Sequence, residues 1–389
     1  MIKLAEIQKM VDLNALIKLR HILHKFPEVS GEEKHTASEV KSVIANFNPD
    51  EIIEGLGGTG IAFVFKGKRA GDRILLRCEL DALKIEEIND DIDYASSKKN
   101  VSHKCGHDGH MTIMSGLASL LENKIDKGEV VLLFQPAEEI GQGARWVLND
   151  DKFKRIKPDF VYGLHNLPGY PLNSVILRNN TFAAASKGMI IKLFGKTSHA
   201  GEPQNGRSPA VALAMMIQTL MRLPQKEDRF NNFTLITIIH ALLGEIAFGV
   251  NPGYAELRAT LRSYENDDMK LLTELATEIT KKMAYMENLG VDIGWTEVFP
   301  ATVNSSDSVE LIKKIAEYEN LKVVNMESPF KWSEDFGEYL KRYKGAFFGI
   351  GSGENHPQLH NPDYDFPDSI ISTGVSLFYN ILNNHDCIK

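Results

Sequence analysis

Eight consecutive residues, His103-Lys104-Cys105-Gly106-His107-Asp108-Gly109-His110, gather thiol, imidazole and carboxylate groups. Side chains of the same kind recur at Asp81, at the pair Glu138-Glu139, at His165, and at His356 and His360. Such a mixture suits Zn²⁺ or a similar divalent ion, with sulfur at about 2.3 Å and nitrogen or oxygen at about 2.0–2.2 Å. The donors outnumber what one four-coordinate ion uses. A pair of ions about 3.5–4 Å apart, sharing a bridging ligand and a water, uses them better. Water on such an ion has its pKa lowered to about 7, and an adjacent carboxylate can then take its proton. Of two consecutive glutamates, one can bind metal while the other serves as that base.

Taken singly, each of these residues has a plainer reading. Cys105 alone would be a buried inert thiol, but His107 follows two residues later. Glu138-Glu139 alone would be a solvated helix start, but a buried-looking apolar strand precedes it. His165 could be a satisfied core histidine, and His199, in Thr197-Ser198-His199-Ala200, a surface-loop residue. Cys78 and Cys387 read as structural or incidental, and His21, His24, His35, His240 and His385 as incidental. Gly55-Leu56-Gly57-Gly58-Thr59-Gly60 fits G-x-G-x-x-G, but a strand, Ile61–Phe65, follows instead of a helix. It is a glycine turn and not a dinucleotide site. The P-loop, H-E-x-x-H and G-x-S-x-G patterns are absent.

The elements that must position these groups follow from hydrophobic rhythm. Strands are expected at Arg73–Arg77, Glu129–Phe134 and Phe160–Leu164, with a helix over Asp108–Leu121. Alternation of this kind implies a largely parallel sheet with helices on its faces. In such a sheet ligands gather beyond the carboxyl ends of the strands. Asp81, Glu138-Glu139, His165 and the His356–His360 loop all follow strands, so they can converge on one rim. From Lys187 the rhythm changes: strand Lys187–Phe194, helix Ser208–Leu223, strands Thr234–Leu242 and Tyr254–Arg262, helix Asp268–Asn288, strand Val291–Val298. This β-α-β-β-α-β order is a complete ferredoxin-like unit able to bury its own core. The first rhythm then returns, with helices at Val309–Tyr318, Ser333–Lys344 and Ser369–Leu382 and a strand at Gly345–Ile350. The expected architecture is α/β: a mostly parallel-sheet domain from residues 1–184 and 298–389, interrupted by a domain of residues 185–297.

Length and composition set the outer bounds. The chain has 389 residues, and its 44 basic against 52 acidic side chains leave a net charge of −8. That balance argues against nucleic acid or an anionic membrane as the main partner. The apolar runs are strand-sized, far short of the ~20 residues of a spanning helix. The charged N-terminus lacks the apolar core of a secretory signal. Three scattered cysteines make no disulfide framework, and a reducing cytoplasm is the expected compartment.

Together these motifs resemble the M20 family of metallopeptidases and amidohydrolases, in the branch of aminoacylases, hippurate hydrolases and auxin-conjugate hydrolases. The resemblance covers nearly the whole chain. It rests on Asp81-Ala82-Leu83, His103–His110, Gln135-Pro136-Ala137-Glu138-Glu139, Gly163-Leu164-His165-Asn166, Ser198-His199-Ala200 with Pro203, Ser333-Glu334-Asp335-Phe336 and Leu359-His360-Asn361-Pro362. It implies two divalent metal ions per chain, Zn²⁺ or Mn²⁺ with Co²⁺ also fitting, held by Cys105, His107, Glu139, His165 and His360. Glu138 matches the general base toward a water activated at the metal pair. Asp81 and Asp108 match groups that orient ligand imidazoles. His199 lies in the inserted domain, which in this family is a lid and often a homodimer surface, and matches the group that polarises the scissile carbonyl. The chain departs from the pattern at Glu79 and Lys84, where the branch usually has Asp and Pro, and at Gly249, where it has a substrate-side Asn. Asn251 is the expected substitute, and Arg262 matches a lid arginine for a substrate carboxylate. The implied activity is hydrolysis of the amide bond of N-acyl amino acids or related small amides. The alternatives are a dipeptidase or carboxypeptidase acting on short peptides, and a metal-dependent binding protein without catalysis.

Overall fold

The computed structural model describes residues 1–225 and 227–388, with residue 227 described by its backbone alone. The described chain divides into two units. The first comprises Met1–Phe182, Thr302–Ser328 and the chain from Asp335 on; the second comprises Ala183–Ala301 with Pro329–Glu334.

An eight-stranded sheet organises the first unit. In spatial order its strands are Glu51–Leu56, Gly60–Lys66, Lys127–Gln135, Arg69–Glu79, Phe160–Pro168, Lys344–Gly353, Val175–Leu177 and Val323–Asn325. The four central strands, from Lys127–Gln135 to Lys344–Gly353, run parallel, with Leu76 opposite both Leu132 and Tyr162 and Leu164 opposite Phe348. The glycine turn joins the first two strands into an antiparallel hairpin on one edge. Val130–Phe134 is fully buried throughout, as expected of a strand covered on both faces. The helix His107–Ala118 is buried along its whole length. It packs near Leu13–Lys25 and Ile371–Asn384, and a Cβ on Gly116 would stand only 2.8 Å from Leu16.

The second unit holds a four-stranded antiparallel sheet in the order Thr234–Leu243, Tyr254–Ser263, Ala185–Phe194, Gly290–Phe299. Helices Ala210–Arg222 and Asn266–Met286 supply its core through Met216, Leu220, Leu272 and Ala276. With the helices in their chain positions, this is the ferredoxin-like order.

One expected element is largely missing. In place of a helix over Ser333–Lys344, only Gly337–Leu340 is helical. The residues before it turn instead, because the buried Asp335 carboxylate is taken by Arg77, Gln135 and the Ala144 amide. An internal charge pair of this kind outweighs helical propensity. Among the described residues no helix is long and apolar enough to cross a membrane.

Candidate active site

The parallel strands deliver the candidate donors to their carboxyl ends. Phe160–Pro168 carries His165 near its end, and Lys127–Gln135 leads through Pro136-Ala137 to Glu138-Glu139. Cys105 precedes the buried helix that starts at His107, separated from it by Gly106 at φ 88°. Only glycine fits there: a Cβ would sit 2.6 Å from the Asn166 amide oxygen. The His360 loop is stapled to the same segment, its amide donating to the Lys104 carbonyl at 2.8 Å.

Hydrogen bonds fix which nitrogen each imidazole offers. His107 Nδ1 donates to the Asp81 carbonyl at 2.8 Å, and His165 Nδ1 to the Asn166 carbonyl at 2.9 Å. Both rings therefore turn Nε2 toward the shared site. His165 Nε2 is 3.4 Å from Cys105 Sγ. His107 Nε2 is buried without a hydrogen-bond partner, 3.8 Å from Glu139 Oε1 and 4.0 Å from Glu138 Oε2. The opposite oxygen of Glu139 lies 3.7 Å from His360 Nε2. The nitrogen–oxygen gaps are long for hydrogen bonds. They match donors placed around a common cation, since ligands at about 2.0–2.3 Å in a tetrahedral arrangement stand about 3.3–3.8 Å apart. Donor atoms of Cys105, His107 and His165 form one close group, those of Cys105, Glu139 and His360 another, and those of His107, Glu138 and Glu139 a third. Glu139 thus reaches toward both His107 and His360.

The electrostatics of the site favour a cation. Burial pushes the Cys105 thiol well above its ordinary range, and the charges of Glu139 and Glu138 push it further. For His107, burial opposes protonation, but the nearby Asp81 carboxylate and the charges of Glu79 and Glu139 outweigh it and hold the imidazole up at about 10. His165 is driven well down by burial and by neighbouring His110, and so offers a neutral lone pair. A site that holds a proton on a buried imidazole amid carboxylates is one where a divalent ion can replace protons.

The expected supporting groups divide. Asp81 orients His107 chiefly through its main-chain carbonyl, while its carboxylate accepts from Ser30 Oγ at 2.7 Å and the Glu139 amide at 3.0 Å. Asp108 does not orient a ligand imidazole. Its carboxylate takes His24 Nδ1 at 2.9 Å and Arg20 Nη1 at 3.1 Å. His24, incidental on sequence grounds, is fully buried between Asp108 and Glu87. His356 is held by the Asp365 carbonyl at 2.6 Å and belongs to none of the three donor groups named above. His110 is engaged by Glu79 at 2.6 Å and Asn166 at 2.5 Å. The length of Glu79 lets it reach Arg77 as well as His110. Burial raises the Glu79 carboxyl, but Arg77 and His110 together hold it far below the carboxylate range.

In the second unit, Ser198–His199 pairs antiparallel with Val250–Asn251, so His199 and Asn251 share one short ribbon. The Gly201 amide donates to His199 Nδ1 at 3.0 Å. In the neutral ring the proton therefore sits on Nε2, the form that can donate outward. Asn251 donates to Ser198 Oγ at 3.1 Å. Arg262 Nη1 donates to the Lys331 carbonyl at 2.7 Å and Ser333 Oγ at 3.1 Å.

Residues 75–384 match the peptidase family M20/M25/M40. The hippurate hydrolase of Campylobacter jejuni is 30% identical over 93% of this chain and 94% of its own. The N-acetyl-L-cysteine deacetylase of Bacillus subtilis is 29% identical over 94% of this chain and 86% of its own. Among solved structures, a dinuclear metal-binding peptidase of the M20 family from Bacillus subtilis superposes with a TM-score of 0.81 at 23% identity, covering 97% of this chain and 99% of that one.

Proposed function

The chain belongs to peptidase family M20/M25/M40, and on that premise we propose that it is a metal-dependent amidohydrolase cleaving the amide bond of N-acyl amino acids. The relatives named for hippurate and N-acetylcysteine hydrolysis support this substrate class. The observation that carries the reading is the convergence of Cys105, His107, Glu139, His165 and His360, with both core imidazoles turned Nε2-inward. These five residues are assigned to two divalent ions, Zn²⁺ or Mn²⁺ with Co²⁺ also suitable. Bound there, the ions would polarise the amide carbonyl and lower the pKa of a water.

The rest of the chemistry belongs to the chain. Glu138, nearly buried beside His107, takes a proton from the attacking water and returns it to the leaving amine. Asp81 fixes His107 through its carbonyl and the Glu139 backbone through its carboxylate. His199 is assigned the developing oxyanion, a role supported by the Nε2–H form that Gly201 enforces. Asn251 and Arg262 are assigned to the substrate, Arg262 to its carboxylate. We infer in addition a cytoplasmic protein that pairs as a homodimer through the second unit.

A second reading, cleavage of dipeptides or of the C-terminal bond of short peptides, draws on the peptidase among the solved structures. Comparing an N-acyl amino acid with the matching free-amine dipeptide decides between them. The proposal predicts a higher kcat/KM on the acylated substrate; the reverse preference would refute it.

A further inference from the structure

Between strand and glutamate pair lies a residue in an unfavourable conformation. Ala137 has φ 53°, in the left-handed region, and is fully buried. That backbone is costly for any residue with a Cβ. The turn it makes sets the direction of the next two residues, Glu138 and Glu139. Its carbonyl accepts the Gly143 amide at 3.0 Å, and the Glu138 carbonyl accepts the Gly141 amide at 2.8 Å.

What holds the turn comes from elsewhere in the chain. The Ala137 amide donates to Glu33 Oε1 at 2.8 Å, and the Glu139 amide to Asp81 Oδ2 at 3.0 Å. Glu33 and Asp81 are both fully buried. Glu33 is itself fixed by the Gly31 amide at 2.8 Å and by Thr59 Oγ1 at 2.6 Å. Thr59 belongs to the glycine turn that resembled a dinucleotide motif. That turn packs directly on the approach to the glutamates: a Cβ on Gly60 would lie 2.8 Å from Pro136 and 3.2 Å from the Phe134 carbonyl.

We propose that Glu33 is a positioning residue for the glutamate pair: by accepting the Ala137 amide it holds the left-handed turn that presents Glu138 as base and Glu139 as metal ligand. This rests on the assignment of those two glutamates given above. The glycine turn thereby acquires a purpose, since its Thr59 holds Glu33 while its Gly60 packs against Pro136 and Phe134 on the approach to the glutamates. Glu33 touches neither substrate nor metal in this account. It acts through one main-chain N–H.

The test uses the full-length protein stripped of metal. Mn²⁺ alone is titrated into it, and kcat and KM are then measured on N-acyl amino acids in saturating Mn²⁺. Glu33→Met leaves the Ala137 amide without its acceptor. Metal affinity and kcat are each expected to fall about 10–100-fold, with KM changed much less, the range usual for groups that orient a metal's ligands. Glu33→Gln keeps an oxygen for the amide and is expected to restore most of the loss. The decisive variant adds Ala137→Gly to Glu33→Met. Glycine adopts positive φ without a steric penalty, so about five- to thirty-fold of the loss should return. A merely structural role for Glu33 gives no reason for that rescue. If Glu33→Met does not fold, Glu33→Asp, whose shorter arm cannot reach the Ala137 amide, Gly31 and Thr59 together, is tested with the same Ala137→Gly partner. Wild-type metal affinity and kcat in the Glu33 variant, or a loss that Ala137→Gly does not relieve, overturns the proposal. Absence of hydrolysis by the wild-type protein would instead sink the assigned function, while the Mn²⁺ titrations would still decide the role of Glu33.

Discussion

Replacing Glu138 and Glu139 one at a time by glutamine separates the base from the ligand. The two changes are chemically identical and one residue apart, so a general disturbance of the turn would affect both alike. The geometry predicts that they differ. Glu138 approaches His107 and is nearly buried, whereas Glu139 spans from His107 to His360 through its two oxygens. In Glu138→Gln the donors Cys105, His107, Glu139, His165 and His360 all remain, so the ions stay and only proton transfer is lost. A positioned general base contributes about 10²–10⁴-fold, or about 3–5 kcal/mol of barrier. We therefore expect kcat to fall by that factor with metal content unchanged. Glu139→Gln removes the charge of a carboxylate shared by the Cys105–Glu139–His360 and His107–Glu138–Glu139 groups, so metal affinity itself should drop, and activity should return in part at high metal. The assay is steady-state turnover alongside metal analysis of the same samples. Near-wild-type turnover in Glu138→Gln with metal bound would refute the assignment of the base. Equal metal loss in both variants would refute the division of roles.

Three further outcomes are expected. His199→Ala should lower kcat by about 10²–10³-fold with metal content intact, as for other lost oxyanion donors; unchanged kcat would remove His199 from the reaction. Stripping metal should lower the melting temperature, and restoring it to about 100-fold over Kd should recover about 2.7 kcal/mol, growing with metal concentration; a melt indifferent to metal would count against the site. The third concerns His24, whose burial is outweighed by its bonds to Asp108 and Glu87, which hold it at about 9. Because that value lies above the unfolded one near 6.5, its stabilisation is complete below pH 6.5 and lost as pH rises through 9. His24→Gln should therefore cost about 3 kcal/mol more at pH 6 than at pH 9.5 in denaturant melts at matched metal concentration. An equal cost at both values would show that folding does not raise the His24 pKa, and a smaller cost at pH 6 than at pH 9.5 would show that His24 is neutral in the folded protein.

Much of the candidate site is legible in the sequence because its donors follow strand ends. Glu138-Glu139 and His165 come at or just past the ends of apolar runs, and such runs announce buried parallel strands. Cys105 and His107 stand at the start of a helix whose apolar spacing is evident. What stayed hidden depends on pairings across long stretches of chain, for which local pattern carries no sign. Nothing in its local sequence singles out Glu33, and its place emerges only from its bond to Ala137, 104 positions away. His24 and Arg20 sit on an amphipathic helix like many exposed residues, yet both are buried against Asp108. The Ser333–Lys344 helix failed for the same reason: Asp335 answers to Arg77 and Gln135, not to its sequence neighbours. Strands of three residues, such as Val175–Leu177 and Val323–Asn325, are too short to show a period.

The most direct test of the central claim is amine release from a panel of N-acyl amino acids by protein stripped of metal and then resupplied separately with Mn²⁺, Zn²⁺ or Co²⁺. The account predicts no turnover in the stripped protein and turnover restored by at least one of these ions. Silence across the panel with metal demonstrably bound would contradict it, as would full activity in the stripped protein.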